Sequence, residues 1–528
     1  MEWILNRNTK TKGFNKHYNF SVGSCHAKTA IRHDYVEMLK KMKKDIPIEY
    51  VRFHGIFCDD MHTRDNLNDV LDLFPNGERY VEENFYMIGV AYDNLLECGV
   101  KPFVELSFMP TSLAKEESTT KGFYAANMSE PKDYEEWANY IESFIEFLVE
   151  KYGVEEIKSW YFEVWNEPDL YGAFFKGDQS AYFKLYKYTV NAIKKVCSEL
   201  KVGGPSTSAS RWIKSFLDYC KQEKLPLDFV TTHQYPGDPF IGVDAEEVVK
   251  DPNEKADKLK KNIKKLEAMI PEKSLPLDVI RMMFGDPTET KEIPDNIFRE
   301  NAKKTQELLD DLPLYYTEWN LSAVFSAYSN DTKKAASYII KTSLDVEPYV
   351  TGTSLWCFSD VFEEMHQFKE EFHGGFGLQT IHGISKPSYY AMKFLSALPE
   401  ERYDIQSEYE NNIHIGAFKE KNKDHILISR HSMKSIDCDP ESIHIKLEAG
   451  EGSPEVSLKR IDDEHCNPLK LWEEMGKKKY LNQEDLSELK IKSTDLKETL
   501  EVAHLNGDYA VELILELNDV YYLTVEWS

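Results

Sequence analysis

Eight short apolar segments alternate with long amphipathic ones over the first three quarters of this 528-residue chain. The amphipathic segments have apolar residues at helical spacing, and they include Tyr35–Lys44, Tyr86–Cys98, Tyr134–Tyr152, Ser180–Leu200 and Thr332–Val346. The short segments are rich in β-branched and aromatic residues, as buried strands are, and they are Asn19–Cys25, Tyr50–His54, Pro102–Phe108, Trp160–Asn166, Val202–Pro205, Asp228–Tyr235, Leu314–Asn320 and Gly352–Phe358. Eight β–α repeats predict an α/β fold, a (β/α)8 TIM barrel. A doubly wound open sheet is the alternative, but no Gly-x-Gly-x-x-Gly turn follows any of the strands.

The pattern changes after Leu398-Pro399. From there, apolar and polar residues alternate with turn signals between the segments, as in Asn412–Lys419, His425–His431, Ser442–Glu448 and Tyr509–Trp527. This alternation predicts an accessory antiparallel β-sandwich, to which the first dozen residues are expected to add a strand. We therefore predict a catalytic barrel over residues 14–398 and a β-sandwich domain formed by residues 1–13 and 399–528. Structural support of the barrel is its expected role, and carbohydrate binding is the alternative.

A long, highly charged connection, about residues 244–311, separates the sixth and seventh predicted strands. Asn253–Met269 and Asn296–Leu309 within it have helical periodicity. The simple interpretation is a solvated helical excursion on the barrel surface. A lid over the site, or a contact in a homo-oligomer, is the functional alternative.

Charge and cysteine usage exclude several classes of partner. The chain has 64 Lys and Arg residues against 91 Asp and Glu residues, a net charge of −27, which disfavours nucleic acids and anionic membranes. No apolar run approaches the roughly 18 residues of a membrane span, and the first residues lack the apolar core of a signal peptide. Its eight cysteines include no Cys-x-x-Cys pair. We therefore expect a cytoplasmic protein with reduced thiols, without a membrane or nucleic-acid partner.

Polar side chains crowd the C-terminal ends of the predicted strands, which is where (β/α)8 barrels have their active sites. Pro168 cannot continue a central strand, so Asn166 and Glu167 should lie at the tip of the fourth strand. Glu318 lies in the same way near the end of the seventh. The complete set is Arg52, His54, Glu105, Asn166, Glu167, His233, Tyr235, Glu318, Asn320 and Trp356.

Two carboxyl groups that face one another across a barrel mouth are typical of glycoside hydrolysis. The reaction needs a proton for the leaving oxygen, and a nucleophile or negative charge at the anomeric carbon. A carboxyl separation of about 5–5.5 Å gives retention of configuration, and one of roughly 6.5–9.5 Å gives inversion. The sequence alone leaves both outcomes open.

The chain resembles clan A glycoside hydrolases, and more narrowly family 39, whose best-known members are β-xylosidases. The matching motifs run in order over roughly residues 15–400. They are Tyr50-Val-Arg-Phe-His-Gly-Ile-Phe-Cys-Asp-Asp-Met61, Lys101-Pro-Phe-Val-Glu-Leu-Ser-Phe-Met-Pro110, Trp160-Tyr-Phe-Glu-Val-Trp-Asn-Glu-Pro168, Val202-Gly-Gly-Pro-Ser206, Asp228-Phe-Val-Thr-Thr-His-Gln-Tyr235, Tyr316-Thr-Glu-Trp-Asn320 and Trp356-Cys-Phe-Ser-Asp-Val-Phe-Glu-Glu364.

This resemblance implies a retaining, exo-acting β-xylosidase that takes part in xylan degradation, acts on a small oligosaccharide or glycoside, and needs neither metal nor organic cofactor. Glu167 would be the general acid/base and Glu318 the nucleophile. Asn166 would hydrogen-bond the sugar 2-hydroxyl, and Arg52 would keep the nucleophile ionised, since an adjacent cation lowers the pKa of a carboxylate. The other implied pocket residues are His54, His233, Tyr235 and Glu363, with Trp356 as the floor and Phe123 and Phe108 as an aromatic wall.

Other interpretations stay open at this point. The same mechanism would serve a β-glucoside, an arabinoside or an iduronide, and a catalytically silent carbohydrate-binding protein is a rival from another class. The sequence Asp59-Asp60-Met-His62 is acidic enough for a cation, but turn capping with a rim contact is favoured. Gly374-Gly-Phe-Gly377 is predicted to be a flexible turn, because the Lys-Ser/Thr of a phosphate loop does not follow it.

Overall fold

The computed structural model describes residues 1–66, 81–118, 126–236, 293–323, 327–363, 370–434, 436–450, 452–505 and 508–528. Its strands are β1 (Glu2–Asn6), β2 (Thr11–Gly13), β3 (Ser21–His26), β4 (Tyr50–His54), β5 (Arg64–Asn66), β6 (Val81–Glu83), β7 (Lys101–Leu106), β8 (Tyr161–Val164), β9 (Lys201–Ser208), β10 (Phe229–Gln234), β11 (Leu314–Trp319), β12 (Gly352–Leu355), β13 (Glu401–Tyr403), β14 (Glu408–Tyr409), β15 (Ile413–Glu420), β16 (Lys423–Arg430), β17 (Glu441–Glu448), β18 (Pro454–Ile461), β19 (Glu498–Leu500), β20 (Ala503–Leu505), β21 (Asp508–Leu515) and β22 (Val520–Trp527). Its α-helices are α1 (His33–Asp45), α2 (Tyr86–Glu97), α3 (Tyr134–Tyr152), α4 (Val154–Ile157), α5 (Gln179–Val196), α6 (Ile213–Glu223), α7 (Ile297–Gln306), α8 (Lys333–Val346), α9 (Pro387–Ser396), α10 (Pro468–Glu474) and α11 (Gln483–Lys492).

Eight parallel strands close into a barrel. In order around it they are β3, β4, β7, β8, β9, β10, β11 and β12. The circle closes where β12 pairs with β3, with Ser354 opposite Ser21 and Leu355 opposite Val22. This is the predicted (β/α)8 barrel, so the open-sheet alternative is excluded. All eight predicted strands and the five predicted helices are present, with only their ends shifted.

The third helix shows why the segments between the strands are helical. Asp133 caps the N-terminus of α3, where its carboxylate accepts a hydrogen bond from the Glu135 N–H over 2.8 Å. Gly153, with a φ of 81°, follows the last turn, a conformation in which glycine is favoured. One face of the helix is buried against the barrel, and it comprises Trp137, Ala138, Tyr140, Ile141, Phe144, Ile145 and Leu148.

The N-terminal end of the barrel is filled by aromatic rings, which are Phe20, Tyr50, Phe103, Tyr161, Phe229 and Tyr315. Space for them comes from glycines on the neighbouring strands. A Cβ on Gly203 would lie 2.4 Å from the Phe229 ring, and one on Gly352 would lie 2.6 Å from Cγ of Phe20. Because side chains alternate along a strand, residues two positions further along face the same interior. The polar layer of the barrel therefore lies directly above an apolar plug.

The C-terminal part contains the predicted β-sandwich. One sheet has the order β1-β17-β21-β20, and the other has the order β19-β18-β22-β16-β15-β13-β2, with β14 paired to β15. Apolar side chains of both sheets form one core, including Trp3, Ile445, Ile426 and Leu523. The strands are antiparallel except that β1 runs parallel to β17. The first residues thus do join the sandwich, while the boundaries at 13/14 and 398/399 stay a prediction.

The larger sheet packs against the barrel through its other face. Phe418, Leu427 and Tyr522 belong to the hydrophobic core of the barrel, and the ring of Tyr522 stacks on that of Phe394 in α9, with 5.5 Å between centroids. Ser429 Oγ donates to the carbonyl of Ser337 in α8 over 3.1 Å. The sandwich is therefore fixed to the last two helices of the barrel.

Two helices interrupt the predicted β-rich region. The buried side chains of α10 and α11 pack against Phe372 and Ile384 of the barrel loops, and they are Leu469, Trp472, Leu486 and Leu489. Each helix has buried apolar residues at a spacing of three, over no more than ten residues. Such short segments do not develop a periodicity that separates helix from strand.

Most of the charged connection between β10 and β11 lies outside the described residues. The helix predicted at Asn253–Met269 falls there, whereas the one predicted at Asn296–Leu309 is confirmed by α7. Among the residues that the structure describes, no helix combines the length and apolar character that a membrane span requires.

Candidate active site

A sharp turn at the end of β8 brings two polar side chains into the barrel mouth. Trp165 has a φ of 72° and Glu167 a φ of 40°, left-handed conformations that cost free energy for residues other than glycine and cluster at functional sites. The Trp165 ring packs against Phe175, with 5.3 Å between centroids, and the Glu167 N–H donates to the Ser206 carbonyl over 2.8 Å. Asn166 and Glu167 are consequently buried at the tip, where the sequence predicts them.

Glu318 reaches the same mouth through a β-bulge. The pairing of β11 with β10 slips by one residue, and Thr317 is the extra one. A bulge redirects side chains, so two consecutive residues contact groups inside the barrel. Thr317 Oγ1 donates to Glu163 Oε1 over 2.7 Å, and Glu318 Oε1 accepts from Arg52 Nη1 over 2.8 Å.

Arg52 on β4 is the centre of the site. Its guanidinium is fully buried and contacts three carboxylates and an amide. Its partners are Glu318 Oε1 at 2.8 Å from Nη1, Glu163 Oε2 at 2.6 Å from Nε, Glu105 Oε2 at 2.8 Å from Nη2, and Asn166 Oδ1 at 3.0 Å from Nη2. The planar guanidinium presents its donors in fixed directions, so it sets the relative positions of these groups.

The electrostatics of this cluster favour an ionised Glu318. Burial opposes its negative charge, but His233, Arg52 and His54 outweigh the burial and lower the pKa below the ordinary 4.5. Burial also opposes the charge of Arg52, but the three surrounding glutamates raise its pKa further. Burial lowers the pKa of His233, so its imidazole is neutral at neutral pH and Arg52 is the permanent cation beside Glu318.

His233 on β10 connects the two glutamates. Its Nδ1 lies 3.0 Å from Glu167 Oε1 and 3.7 Å from Glu318 Oε2. The Tyr235 hydroxyl donates to Glu318 Oε2 over 3.1 Å. One oxygen of Glu167 and one of Glu318 lie no more than 4.8 Å apart. The structure thus brings the predicted pair of carboxyl groups together, with His233 and Tyr235 beside them.

Trp356 lies at the end of β12 against the same cluster. Its ring is 4.6 Å from the His54 ring between centroids and packs in one apolar group with Tyr235 and Phe362. The side-chain amide of Asn320 donates to the Trp356 carbonyl. On β3, Gly23 makes room for the ring, because a Cβ there would lie 2.4 Å from Trp356 Cε3.

Among the described pocket residues that the sequence predicts, Glu363 lies at the margin of this central cluster. Glu363 is half-buried, and its carboxylate pairs with Arg32 over 3.0 Å, while its backbone N–H donates to Cys25 Sγ over 3.0 Å. Glu363 is therefore held near the Trp356 group by its backbone and turned toward Arg32 by its side chain. Phe123 lies outside the described residues. Phe108 lies 6.1 Å from the His54 ring, which fits the predicted aromatic wall.

Three residues of the site were missed by the sequence analysis. Glu163 lies on β8, two residues after Tyr161, whose ring fills the barrel. Because side chains alternate along a strand, the sequence could have predicted that Glu163 also faces the barrel interior. The Oγ of Ser206 lies 3.3 Å from both Arg52 Nη2 and His233 Nε2, and Ser206 is the extra residue of a bulge in β9. Phe174, 6.1 Å from the His54 ring, lies in a loop where no periodicity points to it.

Two groups of side chains in the described parts have the donor atoms of a metal site. They are Glu167, His233 and Glu318, and His26, Cys58 and Asp60. Arg52 lies 2.8 Å from Glu318 in the first group, and Lys28 lies 3.6 Å from Asp60 in the second. Burial, and then Asp60, raise the pKa of Cys58, which disfavours the thiolate that a metal needs. A cation already pairs with one carboxylate of each group, so we assign no metal to either.

The glycine-rich segment Gly374–Gly377 is buried and hydrogen-bonded rather than a flexible turn. Lys386, fully buried, lies 2.6 Å from both Asp331 and Asp360. These carboxylates in turn accept from the N–H groups of Gly374 and Gly377 over 2.6 and 2.7 Å. The Phe376 carbonyl, in the same loop, accepts from the Asn320 side-chain amide over 3.1 Å. Lys386, Asp331 and Asp360, which we call the ionic triad, therefore hold the loop that borders Trp356.

Replacing Lys386 by Met is expected to lower the free energy of unfolding by about 3–5 kcal/mol, because two buried carboxylates lose their shared cation. Urea denaturation measures the change. Lys393→Met is the matched control, since it removes an ion pair to Asp495 that is partly exposed and should change stability little. Adding Asp360→Asn to Lys386→Met should restore part of the loss. Equal effects of Lys386→Met and Lys393→Met would contradict a clamping role for the triad.

One family model matches this chain over most of its length. The sequence profile described as "Glycosyl hydrolases family 39" matches residues 2–280 and 287–509. The match covers the barrel strands and most of the sandwich.

Two relatives and a solved structure agree with that match. A β-xylosidase of Caldicellulosiruptor saccharolyticus is 39% identical over 499 residues, which cover 94% of this chain and 92% of the relative. A β-xylosidase of Geobacillus stearothermophilus is 29% identical over 529 residues, covering 97% and 93%. The crystal structure of a monomeric β-xylosidase from Caulobacter crescentus CB15 superposes with a TM-score of 0.79 at 27% identity, covering 100% of this chain and 99% of that one.

Proposed function

The chain belongs to glycosyl hydrolase family 39 and is a glycoside hydrolase, and we propose that it is a retaining, exo-acting β-xylosidase. It would release xylose from the non-reducing ends of xylo-oligosaccharides, a late stage of xylan degradation. Its substrate is assigned through the relatives named β-xylosidases, which extend over nearly the whole chain. The mechanism is argued from the geometry of the barrel mouth.

The separation of the two carboxyl groups carries the mechanistic part of the proposal. An oxygen of Glu167 lies within 4.8 Å of an oxygen of Glu318. Retaining glycosidases have their carboxyl groups about 5–5.5 Å apart, whereas inverting enzymes need roughly 6.5–9.5 Å to admit a water molecule between carboxylate and sugar. The short distance supports direct attack by a carboxylate on the anomeric carbon.

In the first step, Glu318 attacks the anomeric carbon while Glu167 gives its proton to the glycosidic oxygen. The bond between the anomeric carbon and that oxygen breaks, and an ester joins the sugar to Glu318. Oε1 of Glu318 is held by Arg52 at 2.8 Å, and Oε2 lies on the side of His233 and Glu167. We therefore assign the attack to Oε2. The lowered pKa of Glu318 keeps the nucleophile ionised.

In the second step, Glu167, now a carboxylate, takes a proton from water, and that water displaces Glu318 from the anomeric carbon. Two displacements restore the original configuration. His233 Nδ1, 3.0 Å from Glu167 Oε1, orients this carboxyl group in both steps. A cation in contact with Glu167 would favour its ionised form. Because the His233 imidazole is neutral, it leaves Glu167 able to carry the proton that the first step needs.

Recognition of the sugar is assigned to groups around the pair. Asn166 Oδ1 is held by Arg52 at 3.0 Å, whereas its buried Nδ2 has no hydrogen-bond partner among the described residues. A buried donor without a partner costs free energy, so this N–H group is well suited to the 2-hydroxyl of a bound sugar. His54 and Tyr235 line the pocket beside Glu318, and the Trp356 ring offers an apolar floor to the C–H face of xylose.

We also propose that the enzyme acts in the cytoplasm. All eight cysteines lie in the described parts of the chain, and none of them forms a disulfide bond there. Cysteines without disulfide bonds are usual in reducing compartments. Assembly into a homo-oligomer stays a prediction.

A panel of 4-nitrophenyl glycosides tests the substrate assignment. We expect the β-xyloside to be hydrolysed with the highest kcat/KM, above the β-glucoside, the α-arabinoside and the α-iduronide, and proton NMR to detect β-xylose as the first product. Faster hydrolysis of another glycoside would overturn the sugar assignment and leave the mechanism standing. α-Xylose as the first product would overturn the retaining mechanism.

A further inference from the structure

Glu163 is a fully buried carboxylate that the mechanism above does not use. It lies on β8 below the turn that carries Glu167, directly above the aromatic plug of the barrel. Burying a carboxylate costs free energy even when it is paired, because the charge loses its hydration. Its presence inside the barrel therefore needs an explanation beyond packing.

Two contacts connect Glu163 to the nucleophile. Its Oε2 accepts from Arg52 Nε over 2.6 Å, and the same guanidinium donates from Nη1 to Glu318 over 2.8 Å. Its Oε1 accepts from the hydroxyl of Thr317 over 2.7 Å, and Thr317 is the bulged residue that immediately precedes Glu318. Glu163 thus contacts both Arg52, which binds Glu318, and Thr317, the bulged residue that turns the Glu318 side chain into the barrel.

The cluster also has an excess of negative charge. Arg52 is shared among Glu105, Glu163 and Glu318, so one positive charge faces three carboxylates that repel one another. In a dry environment each such interaction is strong. A Glu318 paired with Arg52 alone would be more stabilised as a carboxylate and, for the same reason, a weaker nucleophile.

We propose that Glu163 is a positioning residue for the reaction, which orients Arg52 and Thr317 around Glu318 and, by its charge, offsets part of the attraction of Arg52 for that nucleophile. The inference rests on the proposed function, because it assigns Glu318 the nucleophilic role. Glu163 touches neither the sugar nor the leaving group. It acts through Arg52 and Thr317.

Other charged and titratable groups face Glu318 and Glu163, and they stay in place in the test below. His54 on β4 lies 3.4 Å from Glu318 Oε1 through Nε2 and 2.6 Å from Glu105 through Nδ1. His233 and Tyr235 at the end of β10 face Glu318 Oε2. The pKa of Tyr182 in α5 is raised, mainly by burial and to a smaller extent by the nearby charge of Glu163. None of them duplicates the contacts of Glu163.

The test is the pH dependence of kcat/KM for 4-nitrophenyl β-xyloside in Glu163→Gln, with Glu163→Asp as the matched control. The acidic limb of this profile reports ionisation of the essential carboxylate in the free enzyme. Because His233, Arg52 and His54 outweigh burial and hold the pKa of Glu318 below its ordinary value, we expect the acidic limb of the wild type to lie below the pH range in which a free glutamate titrates. In Glu163→Gln the opposing charge is gone, and we expect the limb to move to lower pH by about one unit. The maximal kcat should fall roughly tenfold to a hundredfold from misplacement.

Glu163→Asp keeps the charge and shortens the side chain, so we expect a similar loss of kcat with the acidic limb where it is in the wild type. An unmoved limb in Glu163→Gln, or one shifted to higher pH, would overturn the proposal, whatever the rate. If Glu163→Gln does not fold, Thr317→Val replaces it, because it removes one contact of Glu163 and no charge. A wild-type kcat in Thr317→Val would overturn the positioning role.

The wild type and Glu318→Ala are assayed in the same series to keep the two proposals apart. A wild type that hydrolyses no glycoside of the panel contradicts the proposed function. An active wild type, an inactive Glu318→Ala variant and a Glu163→Gln variant with the rate and pH profile of the wild type contradict only the role of Glu163. If another glycoside proves to be the best substrate, the same measurements are made with that glycoside.

Discussion

Replacing Glu318 by alanine is expected to lower kcat on 4-nitrophenyl β-xyloside by roughly four orders of magnitude or more. The variant retains Arg52, His54 and Tyr235 but has lost the carboxylate to which the attack on the anomeric carbon is assigned. The two other glutamates that contact Arg52, Glu105 and Glu163, cannot replace Glu318 as the nucleophile, because both are fully buried beneath the site. Steady-state kinetics at the pH optimum of the wild type measure the loss, and the thermal unfolding temperature shows whether the fold is intact.

Chemical rescue makes this test specific for a nucleophile. Azide is small enough to occupy the space of the missing carboxylate and would attack the anomeric carbon once, with inversion. We expect azide to restore part of the activity of Glu318→Ala and to yield α-xylosyl azide, which NMR identifies by its anomeric coupling. Activity near that of the wild type without azide would show that Glu318 is not the nucleophile, and the mechanism proposed above would then be wrong.

The barrel was predictable because its signal is repeated eight times. Every strand has apolar residues that face the helices, and every amphipathic segment has one apolar face, so errors at single residues do not change the count. The same redundancy placed the ends of the strands well enough to bring Glu167, His233 and Glu318 to one edge. The closed topology then brings these strand ends to one barrel mouth.

The finer geometry was beyond sequence reasoning, because it depends on departures from regular strands. Alternation from Tyr161 along β8 points Glu163 inward, but only the left-handed conformations of Trp165 and Glu167 bring Asn166 and Glu167 to the mouth. Likewise, it is the bulge at Thr317 that turns Glu318 toward Arg52. Local irregularities of this kind have no periodic signal, and they are stabilised by contacts between distant strands.

Charge networks were missed for a related reason. The sequence analysis took Gly374-Gly-Phe-Gly377 as a flexible turn because the Lys-Ser/Thr of a phosphate loop does not follow it. Asp331, Asp360 and Lys386, which bind this segment, are spread over more than fifty positions of the chain. Glu363 is a related case. Its motif position predicts a sugar contact, which stays a prediction, and sequence reasoning did not find the ion pair that its carboxylate makes with Arg32, far away in sequence.

Replacing Glu167 by alanine is expected to have an effect that depends on the leaving group. For xylobiose, whose leaving hydroxyl needs a proton, kcat should fall by roughly 10²–10⁴, the usual contribution of general acid catalysis. For 2,4-dinitrophenyl β-xyloside, whose leaving group needs none, formation of the ester with Glu318 should stay fast. Its hydrolysis should become slow, since no base then activates water. Stopped-flow measurements should therefore show a burst of dinitrophenolate followed by a slow steady state.

Azide distinguishes the two glutamates by the product that it gives. In Glu167→Ala the ester with Glu318 still forms, so azide attacks it from the face that water normally uses and yields β-xylosyl azide. In Glu318→Ala it should yield the α-anomer. The two variants thus serve as controls for one another, because both have lost one of the carboxyl groups that lie within 4.8 Å of one another. The same anomer from both variants, or an equal loss on both substrates in Glu167→Ala, would contradict the assignment of acid/base and nucleophile.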